Sequence, residues 1–326
     1  MVSIKKTCCL RKLRRAMRNR IPIVMDVDTG TDDAIAIICA LLNKDKLDIK
    51  AFTTVAGNVG VDLTSRNTLN IVDYLGFDIP VAIGASKPLK RDLHLAVSHG
   101  KSGLGDVVVT KSQKSFYGKD AADTIYEMAT IMDGKLEILA VGPLTNIAQT
   151  IRRYPKVTSM IKKITIMGGA LAGGNMTQTS EFNTYVDPEA AKIVFESEIP
   201  LVMIGLDVTL HAKLPDSVYE TVKNMDNKFA KLATQIFDYM IRRGNEFRFD
   251  PPNLHDVVAL AYVVIPEVIT LKKYYLTVET QGIMTRGMTV ADFNDVLNKK
   301  PNISAAVDIN LDMFWKWLTR ELSNLN

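Results

Sequence analysis

The stretch Ile21-Pro-Ile-Val-Met-Asp-Val-Asp-Thr-Gly-Thr-Asp-Asp-Ala-Ile-Ala-Ile-Ile-Cys-Ala-Leu-Leu42 decides the fold. Its first residues, Ile21–Met25, form a short apolar run of the kind that makes a buried strand, and Ala34–Leu42 is apolar on every side, as in a helix packed in an interior. A strand that ends in a polar turn and enters a buried helix is the opening half of a βαβ unit. The alternation continues outward. Ile49–Val55 reads as a second strand, followed by a helix over about Leu63–Leu75. Leu136–Val141 and Ile164–Met167 read as strands on either side of a helical Leu144–Tyr154, and Leu201–Leu206 as a further strand ahead of a long helical region from about Ser217 to Arg242. This spacing predicts an α/β fold: one large domain over residues 21–326, with a mostly parallel central sheet flanked by helices around a Rossmann-like core. Residues 84–119 read as a long loop, and loops of that length in compact domains are usually functional.

Open parallel sheets bind ligands at the carboxyl ends of their strands. The polar residues that follow the strands are therefore expected to converge: Asp26 to Asp33, Asn58, Gly142 to Asn146, and Gly168 to Asn183. Asp26, Asp28, Asp32 and Asp33 fall within eight residues, and carboxylates so close raise one another's pKa unless a cation lies among them. Oxygen donors without cysteine or clustered histidine suit Ca²⁺ or Mg²⁺ rather than zinc. Gly30 permits a tight turn, which would place Asp32 and Asp33 at a helix N-terminus, where the dipole favours negative charge. A capped helix with solvated acids accounts for one or two of these aspartates, not four. The DxDx(T/V) motif of haloacid-dehalogenase phosphatases also fails, because the fifth position from Asp26 is Gly30.

Composition narrows the class. Of 326 residues, 47% are hydrophobic and 23% charged, the balance of an ordinary globular protein able to bury a core without staples. The formal charge of +4 misleads, because residues 1–20 hold Lys5, Lys6, Arg11, Lys12, Arg14, Arg15, Arg18 and Arg20 and no acid. Without them the body has 32 basic against 36 acidic residues, which argues against a nucleic-acid partner. The basic stretch reads as a disordered tail and lacks the apolar core of a secretory signal. No window of 18 apolar residues occurs, so no membrane span is expected. Cys8, Cys9 and Cys39 make no disulfide framework, consistent with the cytosol.

The segment Asp28-Thr29-Gly30-Thr31-Asp32-Asp33-Ala34 closely resembles the DPGxDDA signature of the inosine–uridine nucleoside hydrolase family, with Thr29 in place of the usual proline. From about Ile21 the resemblance runs along nearly the whole chain. It takes in Thr54-Val-Ala-Gly-Asn58, His99-Gly100 with Gly103-Leu104, Val141-Gly-Pro-Leu-Thr-Asn146, Met167-Gly-Gly, Gly174-Asn175, Glu181-Phe-Asn183, Asp187-Pro188 and His255-Asp256. It implies a nucleoside hydrolase-like fold and a calcium-dependent enzyme that cleaves the N-glycosidic bond of ribonucleosides. The implied Ca²⁺ ligands are Asp28, Asp33, Asp256 and the backbone carbonyl of Val141. Asp28 is implied as general base and His255 as the residue near the base that protonates the leaving group. Asp32, Asn58, Asn175, Glu181 and Asn183 match ribose contacts, His99 a place at the ribose 5′ end or substrate pocket, and Met167 and Phe182 the pocket lining. A homodimer or homotetramer is the family's usual assembly.

The residues leave some readings open. Taken alone, Asn175 after Gly174 is turn chemistry, an isolated His255 would be a cap or core residue, and packing explains Met167 and Phe182 equally well. Arg243 suits either a base carbonyl or solvent, and Phe247 keeps an aromatic face where relatives carry tyrosine. The HG…GL and GPLTN segments resemble the family's pyrimidine-preferring branch, and the resemblance implies a lean to pyrimidine ribonucleosides such as uridine and cytidine. A purine- or inosine-preferring or non-specific hydrolase, and a non-catalytic calcium-dependent nucleoside- or sugar-binding protein, stand as alternatives. Retention of Asp28 argues against the last. A metal-dependent phosphohydrolase would need a basic residue near Asp26–Asp33, and the sequence offers none. His94 and His211 match nothing and read as structural.

Overall fold

In the computed structural model, which describes residues 20–247 (Phe247 without its side chain) and 251–323, the strand expected at Ile21–Met25 runs on to Val27 (β1). Ile23, Met25 and Val27 face one hydrophobic layer and Val24 the other, the two-residue alternation of a strand buried on both faces. The basic stretch 1–19, with Cys8 and Cys9, lies outside the described residues.

After β1 come Thr31–Leu42 (α1), Leu47–Thr54 (β2), Val61–Tyr74 (α2), Val81–Ile83 (β3), Ala121–Met132 (α3) and Leu136–Ala140 (β4). Thr145–Arg153 (α4), Ile161–Met167 (β5), Phe182–Val186 (α5), Pro188–Phe195 (α6), Leu201–Ile204 (β6) and Leu206–Thr209 (α7) follow. The chain closes with Asp216–Lys223 (α8), Lys228–Phe247 (α9), His255–Val264 (α10), Ile269–Tyr274 (β7), Leu276–Val278 (β8), Thr289–Ala291 (β9), Ile303–Ile309 (β10) and Leu311–Ser323 (α11). The main sheet has eight strands in the order β3-β2-β1-β4-β5-β6-β10-β7, all parallel except β7, which runs antiparallel on β10. β8 and β9 form a separate antiparallel hairpin.

β2 lies on one side of β1 and β4 on the other, so the strand order reverses there and the carboxyl ends of β1 and β4 diverge into a crevice. On one face of the sheet, α1, α2, α9, α10 and α11 build the larger hydrophobic cluster; on the other, α3, α4 and α6 build the smaller. Every residue of α1 is buried, because α2, α9, α10 and α11 all pack against it. That explains a helix with no polar face.

The long helix expected over Ser217–Arg242 is broken at residues 224–227 into α8 and α9. Asn227 causes the restart: its side-chain oxygen accepts the N–H groups of Phe229 (3.0 Å) and Ala230 (2.9 Å), satisfying donors that the first turn leaves free. Residues 84–120 carry no helix or strand, and Arg242 ties them to α9 through Asp106. Among the described residues no helix is long and apolar enough to cross a membrane.

Candidate active site

The crevice fills with carboxylates because three elements end in it. β1 delivers Asp28, the first turn of α1 delivers Asp32 and Asp33, and the first turn of α10 delivers Asp256. Asp33 is the local organiser: its Oδ1 accepts the N–H of Asp28 (3.1 Å) and its Oδ2 accepts the N–H of Gly30 (2.9 Å), curling the strand end onto the helix start. Asn58, beyond β2, donates its backbone N–H to Asp28 Oδ2 (2.8 Å) and its side-chain amide to Asp33 Oδ2 (2.9 Å). Oxygens of Asp32, Asp33 and Asp256 lie within 4.8 Å of one another. The carboxyls of Asp28 and Asp256 each rest against that of Asp33.

Electrostatics follow from the crowding. Burial and then the neighbouring charge of Asp33 hold the Asp28 carboxyl well above its ordinary pKa. Burial, then the charges of Asp32, Asp33 and Asp28, do the same to Asp256. Burial raises Asp32 and Asp33 as well, offset in Asp32 by the nearby His99 ring and in Asp33 by the Gly30 N–H. Asp28 Oδ1 is buried and has no hydrogen-bond partner, a costly state for a carboxylate oxygen unless a cation completes it. The residues thus fit a hard, oxygen-seeking cation.

Gly30 caps the start of α1 with Asp32 and Asp33 in the first turn, and it does so at a φ of −99°, outside the left-handed region. It is needed for close approach, since a Cβ there would stand 2.5 Å from His99 Nδ1 and 2.7 Å from Asn58 Nδ2. Asp26 also departs from expectation. It lies beneath the crevice, where its Oδ1 accepts Thr53 Oγ1–H (2.5 Å) and the Asn146 side-chain amide (2.7 Å), and burial pushes its pKa up to about 7. Asn146 also donates to Thr54 O (2.9 Å) and accepts the Ala85 N–H (2.8 Å), so the end of the GPLTN segment ties strands together rather than facing ligand.

The cavity holds about 500 Å³, in the range of a small-molecule site. Asp28, Asp32, Asn58, His99, Val141, Met167, Asn175, Glu181, Phe182, Asn183, His255 and Asp256 all line it. Of the residues that the resemblance assigns to metal, catalysis or substrate, only Asp33 does not, being fully buried behind them. The Val141 carbonyl accepts the side-chain amide of Asn183 (2.8 Å), which also donates to Met167 O (3.1 Å) and so joins the ends of β4 and β5. Glu181 caps α5, accepting the N–H groups of Gly169 (2.9 Å), Asn183 (2.9 Å) and Thr184 (3.1 Å). Asn175 Oδ1 takes the Phe182 N–H (2.9 Å), leaving its amide N–H₂ to the cavity.

His99 reaches the site from the 84–120 segment. Its Nδ1 accepts the Thr31 N–H (3.0 Å) and lies 2.9 Å from Thr31 Oγ1. Burial lowers the pKa of both His99 and His255, so both rings favour the neutral form. Arg243 lines the cavity and donates to Val97 O (2.8 Å), fastening α9 to the segment that carries His99. His94 and His211 lie outside the cavity lining. The sequence reading missed Thr31, Val97, Met240 and Asn253, which also line it. The only signal for Asn253 was a polar residue two places before His255; its Oδ1 is buried without a partner.

A crevice at a sheet's reversal point, floored by carboxylates, defines a hydrolase-like small-molecule site. The family described as inosine-uridine preferring nucleoside hydrolase matches residues 23–316. The chain is 39% identical to the non-specific ribonucleoside hydrolase RihC of Klebsiella pneumoniae, over 91% of this chain and 97% of that one. It is also 39% identical to the pyrimidine-specific ribonucleoside hydrolase RihA of Citrobacter koseri, over 93% and 98%. Among solved structures, a purine-preferring ribonucleoside hydrolase from Gardnerella vaginalis superposes with a TM-score of 0.87 at 30% identity, covering 93% of this chain and 98% of that one. This chain belongs to the inosine-uridine preferring nucleoside hydrolase family, and it is an enzyme of the N-glycosidase class.

Proposed function

We propose that the chain is a calcium-dependent ribonucleoside hydrolase that cuts the C1′–N bond to release free base and ribose, with uridine and cytidine preferred. The observation that carries the reading is the orphaned, buried Asp28 Oδ1, held among Asp33, Asn58 and the bare Cα of Gly142, where a Cβ would stand 2.8 Å from it. Asp28, Asp33, Asp256 and the Val141 carbonyl would hold the ion. Several carboxylates plus a carbonyl suit calcium's large coordination number better than the water-rich octahedron of magnesium. When bound, calcium would supply positive charge that acidifies a water and holds the ribose diol.

Asp28 Oδ1 is then the atom placed to take the water's proton, acting as general base. No carboxylate needs to bond the sugar, so the reaction inverts the anomeric centre. Asp32, Asn58, Asn175, Glu181 and Asn183 grip the ribose, His99 its 5′ end, and Met167 and Phe182 its faces. His255 stands toward the departing base. The pyrimidine preference leans on the 39%-identical relative described as pyrimidine-specific and on the His99-Gly100 and Gly103-Leu104 pairs. The test is to incubate the protein with uridine, cytidine, inosine and adenosine, in EGTA and after calcium is restored. Base and ribose should appear only with calcium, fastest from the pyrimidines. Full activity in EGTA would overturn the metal assignment, and inosine cleaved fastest would overturn the preference.

A further inference from the structure

His255 and Thr209 come from different elements and meet at one hydrogen bond, 2.8 Å between His255 Nδ1 and Thr209 Oγ1. Both sides are fixed. Thr209 is fully buried in α7, its N–H bonded to Gly205 O (3.2 Å) and its carbonyl taking the Ala212 N–H (3.1 Å). The residue before the histidine is pinned to the same segment, Leu254 N–H to Ala212 O (3.1 Å). A threonine in a helix usually turns its hydroxyl back to the carbonyl four residues earlier. Among the described residues the Thr209 hydroxyl bonds only the histidine ring.

That single partner decides the direction. If Nδ1–H donated to Oγ1, the threonine proton would be buried with no acceptor, which is costly. If the hydroxyl donates, its proton and Nδ1 satisfy each other, and the neutral ring of His255, which lines the cavity, carries its proton on Nε2.

We propose that Thr209 is a positioning residue: its hydroxyl donates to His255 Nδ1, places the ring proton on Nε2, and so presents a fixed N–H donor to the departing base. This rests on reading the cavity as a nucleoside hydrolase site. As the C1′–N bond breaks, its electron pair goes to the base nitrogen, and the Nε2–H hydrogen bond stabilises the negative charge that develops on the base. A neutral hydroxyl partner does this without placing a second negative charge beside the aspartates.

The test compares wild type, Thr209→Val and Thr209→Ser on uridine and on 4-nitrophenyl β-D-ribofuranoside, whose leaving group needs no stabilisation by a donor. Thr209→Val should lower kcat for uridine by about 100-fold, the scale of losing one oriented donor, with KM little changed. It should leave kcat for the nitrophenyl riboside within about threefold, and Thr209→Ser should restore uridine cleavage. Equal losses on both substrates, or no loss on uridine, would overturn the proposal. Independently, two-bond ¹H–¹⁵N correlation spectra of wild type should show His255 protonated at Nε2, and protonation at Nδ1 would refute it with no variant needed. If wild type cleaves neither substrate, the hydrolase reading falls, while these spectra still decide what Thr209 does.

Discussion

Asp28→Asn should abolish activity while making the calcium-free protein more stable. The asparagine keeps the acceptor for the Asn58 N–H, now 2.8 Å from Asp28 Oδ2, and turns an N–H₂ toward the Asp33 carboxylate. Losing the general base removes about 10³-fold in kcat, or ~4 kcal/mol of transition-state stabilisation. Stability moves the other way. A like-charge pair about 4 Å apart costs ~4 kcal/mol at an effective dielectric near 20, and proton uptake relieves part of it, so the variant should gain about 2–3 kcal/mol. In a chain of this size that raises Tm by ~3–5 °C. The folded-state pKa of Asp28 lies above its unfolded value, so the wild type binds more protons folded than unfolded and loses stability as pH rises through that window. The gap should therefore be widest at pH 8 in EGTA and close near pH 4. With calcium at a hundredfold excess over its Kd, wild type alone should recover about 2.7 kcal/mol. The assay is differential scanning fluorimetry of both proteins at pH 4, 6 and 8, with and without EGTA. A variant less stable than wild type at pH 8 in EGTA, or one that keeps a tenth of the activity, would refute the charge-cluster reasoning.

Asn146→Ala strips donors from Asp26 and Thr54 O and an acceptor from Ala85, so it should cost about 3 kcal/mol, read as a lower urea midpoint with an unchanged slope. Gly30→Ala should drive His99 and Asn58 from their places and cut kcat/KM by ~100-fold with only a few degrees lost from Tm; activity near wild type would show that the close packing is dispensable. 2′-Deoxyuridine should react at least ~10³-fold more slowly than uridine in kcat/KM, because the missing hydroxyl leaves buried polar partners unpaired; comparable rates would remove the ribose-gripping role.

Strands β1, β2, β4, β5 and β6 were legible because each holds an apolar run followed by polar residues, a local signal that β1 and α1 carry in unusually pure form, whereas the parallel strands β3 and β10 were not foreseen. The carboxyl-end rule, which depends only on strand direction, gathered cavity-lining residues such as Asp28, Asp32, Asn58, Asn175, Glu181 and Asn183, whereas His99, His255 and Asp256 entered through the resemblance. Where pairing is non-local the sequence was mute. β7 mixes exposed Lys272 and Lys273 with half-buried neighbours, and nothing local says that it runs antiparallel to β10. Asp26 shows the limit of counting charges: it is two residues from Asp28 on the same strand face, yet Thr53 and Asn146 draw it beneath the site. The break at Asn227 was missed because the apolar stripe continues across it, and only the cap reveals a new start. Thr209 carries no motif of its own, because only a hydrogen bond to His255 from a distant element gives it a place near the site.

Asp256 enters the crevice from α10, far along the chain from the acids of β1 and α1 that it joins. During synthesis the ribosome therefore releases the aspartate-rich N-terminal segment long before its last partner exists. A nascent chain halted before α10 has most of the sheet but no complete centre, so an interrupted product would be catalytically silent rather than partly active.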